Sequence, residues 1–268
     1  MESLKGTDNY VSRKDGKVYY YKVGEGEPLI MLHNVGRSGW IWRNVIGYLA
    51  SEFTCYNIDM PGFDHSDIPP EKYSMRDYVK AILDVMDDIG LEKTNILGDH
   101  TGALLGLEMA AYYPDRVMKL ATDGLPFWNK ERGQVLWEKH FLPQFTDTTS
   151  YDIPVAPLFS WEEEVAKNPN LDKEAFEKDE EIKRKSRYWI RLSYESLSGF
   201  DSEEVGPKVK VPTLLVYGEG DPLLRGAQRA HEAIKDSTLK IIHGAPGEAH
   251  EHDPEGFARN VINFLKKT

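Results

Sequence analysis

A histidine occupies the centre of a glycine-flanked turn in the first half of the chain. The segment Asn95–Ala103 reads N-I-L-G-D-H-T-G-A, so His100 lies in a G-x-H-x-G pattern between a strand-like and a helix-like run. Glycine at both ends permits a tight strand-to-helix turn that lifts the central side chain above a sheet. An imidazole with a pKa of about 6.5 can remove a proton from water or attack an activated acyl group. His100 is therefore the first candidate for a catalytic residue.

Three other segments resemble motifs of the α/β-hydrolase-fold superfamily and occur in that family's order. Met31–Gly39 is similar to the family's oxyanion loop, Asp59–Asp67 to its D-x-P-G-x-G-x-S turn, and Leu214–Pro222 to the strand end that carries the catalytic acid. The chain resembles this family along nearly its whole length and is identified as an atypical member. The resemblance implies an α/β-hydrolase fold with Asp221 at the acid position, while His100 stands where the family has its serine, aspartate or cysteine nucleophile.

The family's catalytic histidine is missing from its usual place. It would be expected about seven residues before Pro254, and that count ends on Gly247. His250 and His252 follow in the same loop, and His250 is the candidate that could take over the role. His252, beside Asp253 and Pro254, is expected to cap or precede the last helix.

A catalytic imidazole needs its tautomer fixed by a hydrogen bond. A ring nitrogen of His100 is therefore predicted to lie within hydrogen-bond reach of Asp221 or His250. Asp99 is adjacent to His100 in the turn, where neighbouring side chains point apart, so it is expected to be a structural partner and not the group that orients His100.

The substrate-binding residues follow from the same resemblance. The N–H of Thr101, with one from Asn34 or Val35, would form the oxyanion hole. Asn34 replaces the family's usual glycine there, so its side chain either adds a donor to the hole or blocks it. Aromatic residues between the two halves of the sheet, Trp128 and Trp137 above all, would suit an apolar or aromatic ligand. The further aromatic candidates of this segment are Phe141, Phe159 and Trp189.

Three functions remain open for this site. The first is a small-molecule hydrolase acting on an ester, lactone or related acyl compound, with His100 in place of serine. The second is cofactor-free lyase, decarboxylase or oxygenase chemistry, which needs only a base in a dry pocket. The third is a non-catalytic ligand binder that has lost its nucleophile, because fold alone does not confer activity. No cofactor is expected, and no metal site, since no two of these histidines have H-x-x-x-H spacing.

The elements that position these residues alternate between strand and helix. Apolar residues recur at helical spacing over Ser74–Gly90, with Ser74 as the expected N-cap, and Trp42–Ser51 also has helical spacing. This alternation predicts a mainly parallel sheet flanked by helices. Between residues 127 and 206 the short apolar strands stop, and the pattern becomes aromatic and charged. We expect a core formed by residues 1–126 and 207–268, with a helical cap inserted at 127–206.

Composition limits the partners. The chain has 268 residues, with 33 Lys and Arg against 44 Asp and Glu, a net charge of −11. An acidic chain without a basic cluster is a poor candidate for binding nucleic acid or anionic membranes. No apolar run of about 20 residues and no signal peptide are visible, which favours a cytoplasmic protein. The lone Cys55 excludes an internal disulfide and is expected to be a buried structural thiol. A small molecule is the expected partner, and a homodimer is left open.

Overall fold

An eight-stranded sheet runs through the computed structural model, which describes residues 5–145, 160–167 and 172–267. The strands are β1 (Thr7–Arg13), β2 (Gly16–Val23), β3 (Glu27–Leu32), β4 (Phe53–Ile58), β5 (Thr94–Asp99), β6 (Val117–Asp123), β7 (Thr213–Gly218) and β8 (Ser237–Ile242). They lie in the order β1-β2-β4-β3-β5-β6-β7-β8. In this spatial order, every pair of neighbouring strands from β4 through β3, β5, β6 and β7 to β8 is parallel. Strand β2 pairs antiparallel with both of its neighbours, β1 and β4. The predicted mainly parallel sheet is confirmed.

Helices cover both faces of this sheet. The α-helices are α1 (Ile46–Leu49), α2 (Met75–Asp88), α3 (Thr101–Tyr112), α4 (Lys130–Leu136), α5 (Trp161–Lys167), α6 (Lys173–Ser198), α7 (Ser202–Val205), α8 (Ala227–Ala233), α9 (Ala249–His252) and α10 (Pro254–Leu265). Single 3₁₀ segments cover Gly39–Asn44, Pro114–Arg116, Leu142–Phe145, Gly206–Lys208 and Pro222–Gly226, and a π-helical segment covers Trp137–Phe141. Adjacent strand residues alternate between faces. Accordingly, Ile96 and Leu97 of β5 belong to two separate apolar cores, one on each side of the sheet.

Local sequence signals predicted some boundaries and missed others. Ser74 caps α2 as expected, through a reciprocal capping box with Asp77. The helix expected over Trp42–Ser51 is instead a 3₁₀ segment followed by the one-turn α1. β1 was not predicted, because it is an edge strand whose side chains are mostly exposed and polar, with Val11 its one buried residue. An exposed edge strand carries little of the alternation by which strands are recognised.

Every described element between β6 and β7 is helical, in keeping with the expected insertion, whose limits at 127 and 206 remain a prediction. The 26-residue α6 dominates it. Trp189 attaches α6 to α2, because its Nε1–H donates a 2.7 Å hydrogen bond to the hydroxyl of Tyr78. Ser193, one turn further on, lies 2.7 Å from the same hydroxyl. Both side chains are buried, so α6 is held at a defined height over the sheet.

The carboxyl ends of the parallel strands meet at one edge of the sheet, where open α/β folds place their ligands. Asp99 ends β5, Asp123 ends β6, and Asp221 follows β7 by three residues. All three carboxylates are buried. Cys55 lies in β4 with no exposed surface, and burial raises the pKa of its thiol to about 12, as expected of a structural thiol.

Candidate active site

His100 lies at the tip of the turn between β5 and α3. Its backbone has φ +42° and ψ −98°, a conformation that costs energy for any residue with a side chain. The turn is tight: a Cβ on Gly102 would lie 2.2 Å from the carbonyl oxygen of Leu32. The turn is held by the amide of His100, which donates to the carbonyl of Asp123 at 3.0 Å. The His100 side chain keeps 24% of its surface exposed, so a small molecule can reach it.

Two carboxylates flank the imidazole of His100. Its Nε2 lies 3.4 Å from Oδ2 of Asp221, and its Nδ1 lies 3.6 Å from Oε1 of Glu248. Gly124 makes room for this arrangement, since a Cβ there would lie 2.5 Å from both His100 Nε2 and Asp221 Oδ2. The expected contact with Asp221 is therefore present, although it is long for a hydrogen bond. Glu248 was not among the predicted site residues.

The charge state of His100 differs from the sequence expectation of a pKa near 6.5. Burial lowers the pKa of His100, but the carboxylates of Asp99, Asp221 and Glu248 outweigh burial and raise it well above its ordinary value. An opposite charge at such distances favours the protonated imidazole. The neutral base therefore forms at higher pH than it does in an isolated histidine.

Asp99, the residue before His100 and the last of β5, has no exposed surface. Neither of its carboxylate oxygens has a hydrogen-bond partner within the described ranges. Burial raises the pKa of Asp99 well above its ordinary value, and the nearby carboxylates of Glu248 and Asp123 add to the rise. Within the described ranges no hydrogen bond joins Asp99 to His100, so Asp99 acts on His100 through its charge and does not orient the ring, in keeping with the expectation.

His250 is paired with Asp123, not with the turn. Its Nδ1 lies 2.8 Å from Oδ2 of Asp123, which also accepts the His250 amide at 2.8 Å. The ring packs on Trp42 with centroids 4.8 Å apart, and the side chain is 1% exposed. Burial lowers the pKa of His250, but Asp123 dominates and raises it to about 9. No hydrogen bond or ion pair joins His250 to His100 in the part of the chain that the structure describes.

This pair predicts a pH-dependent stability. The folded-state pKa of His250 lies above the unfolded value of about 6.5, so its stabilisation is complete below pH 6.5 and is lost as the pH rises through about 9. The free energy of unfolding in urea should fall by up to about 3 kcal/mol over that interval. Asp123→Asn should flatten this dependence. His243→Gln removes a largely exposed histidine and should leave it unchanged; an equal slope in Asp123→Asn and the parent would contradict the assignment.

The predicted oxyanion-hole residues Asn34, Val35 and Thr101 lie close together, and some of their hydrogen-bonding groups already have protein partners. The side-chain amide of Asn34 donates to Oε1 of Glu248 at 3.2 Å, so it positions this carboxylate beside His100. The amide of Val35 donates to the hydroxyl of Thr101 at 3.3 Å. The amide of Thr101 belongs to the first turn of α3 and has no acceptor within that helix. A developing oxyanion could therefore be bound by Thr101 N–H and, after displacement of its hydroxyl, by Val35 N–H.

The predicted aromatic residues are dispersed. Trp128 is half-buried beside Gly133 of α4, Trp137 packs partly buried against the main core, and Trp189 is buried against α2. Phe159 lies outside the described residues. Phe141 stacks on Tyr194 of α6, with ring centroids 4.3 Å apart. Tyr194 is close enough to the site for the charges of Arg37 and Glu248 to act on its hydroxyl.

Arg37 joins the oxyanion loop to two helices and was missed from the sequence. Its Nη1 lies 2.7 Å from Asp179 of α6 and 3.0 Å from Glu251 of α9. Burial raises the pKa of Glu251, but Arg37 reverses this and lowers it to about 2. The loop after β3, helix α6 and the last loop thus share one partly buried ion-pair network.

Several side chains of the site have the chemistry of metal ligands. Asp99, Asp123 and His250 each offer an atom within 4.8 Å of the others, and so do Asp99, His100 and Glu248. Asp123, however, already accepts hydrogen bonds from the amides of Ala249 and His250 through its two oxygens. His250 Nδ1 and Asp123 are used on each other, which leaves fewer donors than the four of a structural zinc site. We assign no cofactor to these groups.

Sequence reasoning could have found Glu248 but had little signal for the other missed residues. Glu248 directly follows Gly247, where the count from Pro254 places the family's histidine, and it is charged in an otherwise small-residue segment. Asp123 sits in a segment that carries no distinctive pattern, and the oxyanion-loop motif around Arg37 did not single that residue out. Their partners, His250 and Asp179, are more than a hundred residues away along the chain.

A comparison with protein-family models agrees with this architecture. The model described as "alpha/beta hydrolase fold" matches residues 27–254, most of the chain. The chain belongs to the α/β-hydrolase family. Its sheet order, its strand–turn–helix at His100 and its acid after β7 are those expected of a member. Among the described helices, none is long and apolar enough to cross a membrane.

Individual relatives are distant. The chain is 23% identical to Epoxide hydrolase 1 of Caenorhabditis elegans over 98% of this chain and 72% of that protein. It is 24% identical to 2-hydroxy-6-oxo-6-phenylhexa-2,4-dienoate hydrolase of Comamonas testosteroni, over 94% of this chain and 92% of that one. The crystal structure of the enol-lactonase from Burkholderia xenovorans LB400 superimposes with a TM-score of 0.74 and 18% identity, covering 97% and 100% of the two chains. Structural similarity at that identity shows the fold.

Proposed function

We propose that this protein is a small-molecule hydrolase acting on an ester, lactone or related acyl compound, with His100 in place of the serine nucleophile. The observation that carries the proposal is the His100 imidazole at the tip of the turn, exposed on one side and bordered by Asp221 and Glu248. The relatives named above as hydrolases of small molecules support the reaction class. The described helices between β6 and β7 would form a cap over the site.

The geometry favours general-base catalysis. If Asp221 accepts the Nε2 proton of neutral His100, the lone pair lies on Nδ1, which can take a proton from water. Glu248 lies on the Nδ1 side, and Asn34 holds it there. Asp221 and Glu248 stabilise the imidazolium that forms as the water attacks the acyl carbon. Attack by His100 itself remains the alternative route, and an acyl-imidazole trapped by rapid acid quench would reveal it.

The acyl oxygen would gain negative charge as water adds. The amide of Thr101 stands at the start of α3, where an anion is favoured by the unpaired N–H groups and the helix dipole. The amide of Val35 would be the second donor. Collapse of the tetrahedral intermediate expels the alkoxide, which takes back the proton held on His100 Nδ1, so the imidazole returns to its starting state.

A non-catalytic ligand binder is the second candidate, because both ring nitrogens of His100 face carboxylates. A histidine with both nitrogens held in this way would be a fixed cation without a base function. The proposed reaction needs Nδ1 free of Glu248, and the 3.6 Å separation, longer than a hydrogen bond, supports that requirement. Cofactor-free lyase or oxygenase chemistry would use the same neutral base on a different substrate.

The test is a substrate panel combined with a covalent probe. The purified protein should hydrolyse members of a panel of p-nitrophenyl esters, lactones and epoxides, yet resist labelling by a fluorophosphonate, since the tip of the turn offers no hydroxyl. A serine esterase treated alongside confirms that the probe is reactive. Stoichiometric labelling at a serine would show that the site is misplaced, and a protein inactive on the whole panel would favour the binder or lyase alternatives.

A further inference from the structure

One face of α6 lies against the candidate site. Asp179 on this helix pairs with Arg37 of the oxyanion loop. Ile190 reaches the same loop, since a Cβ on Gly36 would lie 3.7 Å from its Cδ1. Tyr194, one turn further, is within electrostatic range of Glu248. Side chains three, four and seven positions apart share a helix face, so the residues between these contacts also face the site.

Arg187 lies on that face and is buried, with no counter-charge among the residues that the structure describes. It is three positions before Ile190 and seven before Tyr194, and its residue surface is only 5% exposed. Its Nε and Nη1 have no hydrogen-bond partner, and no ion pair involves it among residues 5–145, 160–167 and 172–267. Arg191, one turn further, also has a buried Nε for which the described part of the chain supplies no hydrogen-bond partner. By contrast, Lys183, one turn before Arg187, is paired with Glu180 at 2.6 Å.

A buried guanidinium without a partner is costly, because nothing replaces the water it has lost. Proteins carry such a cost at binding sites, where a ligand supplies the opposite charge that the arginine lacks. A planar guanidinium matches a carboxylate, which it can bind through two parallel hydrogen bonds. We infer that Arg187, with Arg191 beside it, binds a carboxylate group of the substrate. The inference rests on the proposed function in one respect, namely that the acyl substrate lies between α6 and His100.

The charges around the site also determine how such a substrate would be oriented. The carboxylates of Asp221 and Glu248 lie 3.4 Å and 3.6 Å from the ring of His100 and would repel a carboxylate placed at the turn. The chain as a whole carries a net charge of −11, so the anion is favoured only where local cations stand unpaired. The carboxylate would therefore point toward α6, and the ester or lactone carbonyl toward His100. The substrate class becomes a small acyl compound that carries a carboxylate.

Binding of unreactive probes tests this directly. Benzoate, phenylacetate and 3-phenylpropionate should be titrated by calorimetry, each beside its neutral amide, which has nearly the same shape. We expect at least one carboxylate to bind about tenfold or more tightly than its amide, and Arg187→Met to remove this preference. Arg184→Met is the matched control, since Arg184 is an exposed arginine of the same helix and should keep the preference. Equal affinity for every carboxylate and its amide, or an unchanged preference in Arg187→Met, would overturn the inference.

A second readout separates ligand binding from a structural role. Removing a buried, unpaired charge should raise the melting temperature of the ligand-free protein by about 2–4 °C in Arg187→Met. A structural arginine would give a fall, which would count against the inference. Arg187→Lys keeps the charge but loses the paired donors, so it should bind the probe carboxylate more weakly than the parent and more tightly than Arg187→Met.

None of these measurements requires turnover. Carboxylate binding lost in Arg187→Met, with no hydrolysis of any panel compound, would uphold the anion site and reject the hydrolase. Hydrolysis that depends on His100, with no preference for carboxylates, would uphold the hydrolase and reject the anion site.

Discussion

Replacing His100 with glutamine should lower kcat/KM on the best panel substrate by about 10²–10⁴-fold, the usual contribution of a general base. Glutamine keeps a side chain that can contact Asp221 but cannot accept the proton of the attacking water. His100→Ala should lose activity to the same degree. The loss is measured from initial rates, and circular dichroism with the melting temperature checks that the variants fold. His252→Gln, on an exposed histidine near the site, should keep the parent rate.

His100→Ser rebuilds the family's G-x-S-x-G pattern, and we expect it to recover little activity. Serine needs a histidine within about 3 Å to accept its proton. The residue that faces the turn from the last loop is Glu248, and the available histidine, His250, is bound to Asp123 in a buried pair. An active serine variant would show that His250 reaches the turn and would revise the roles assigned here. A dead serine variant beside an active parent leaves His100 working without a second histidine.

The pH profile of kcat/KM should rise through an inflection that lies above pH 6.5. Only neutral His100 accepts a proton, and the carboxylates around it raise its pKa, so the active form appears at higher pH than for an isolated histidine. Glu248→Gln removes one of those charges and should move the inflection about 1–3 pH units lower. The acidic side chains that bear on His100 are Asp99 before it in the turn, Asp221 after β7 and Glu248 before α9.

Glu255→Gln is the matched control for this shift, because Glu255 is an exposed glutamate of α10 that pairs with Arg259. It should leave the inflection where the parent has it. Arg37 and His250 act on Glu248 and are intact in both variants, so their influence cancels. An inflection near pH 6.5 in the parent, or one that does not move in Glu248→Gln, would contradict the proposed electrostatic control of His100.

The carboxylates around His100 have two opposing effects on its activity as a base. Carboxylates beside His100 make it a stronger base but reduce the neutral fraction at pH 7. The imidazolium that these carboxylates stabilise is the species that would form as the water loses its proton. Asn34 keeps Glu248 in place, so a change at Asn34 should act on the pH profile as well as on the oxyanion loop.

The sequence by itself determined the fold and predicted His100 as the central residue of the candidate site. Strand and helix signals depend on residues close together in the chain, and so does the glycine-flanked turn that carries His100. Asp221 follows a buried strand within a recognisable motif, so its approach to the edge of the sheet was also predictable. The antiparallel edge strand β1 was missed because its exposed, polar side chains carry little periodic signal.

Only the tertiary structure decided what surrounds His100. Its contacts with Asp221 and Glu248 join residues more than a hundred positions apart, and the shape of the last loop, not its spacing, puts Glu248 there and His250 on Asp123. The raised pKa of His100 and the burial of Arg187 without a described partner also arise from contacts between distant segments. Residue types are local in the sequence, whereas distance, burial and charge pairing arise only when distant segments pack together.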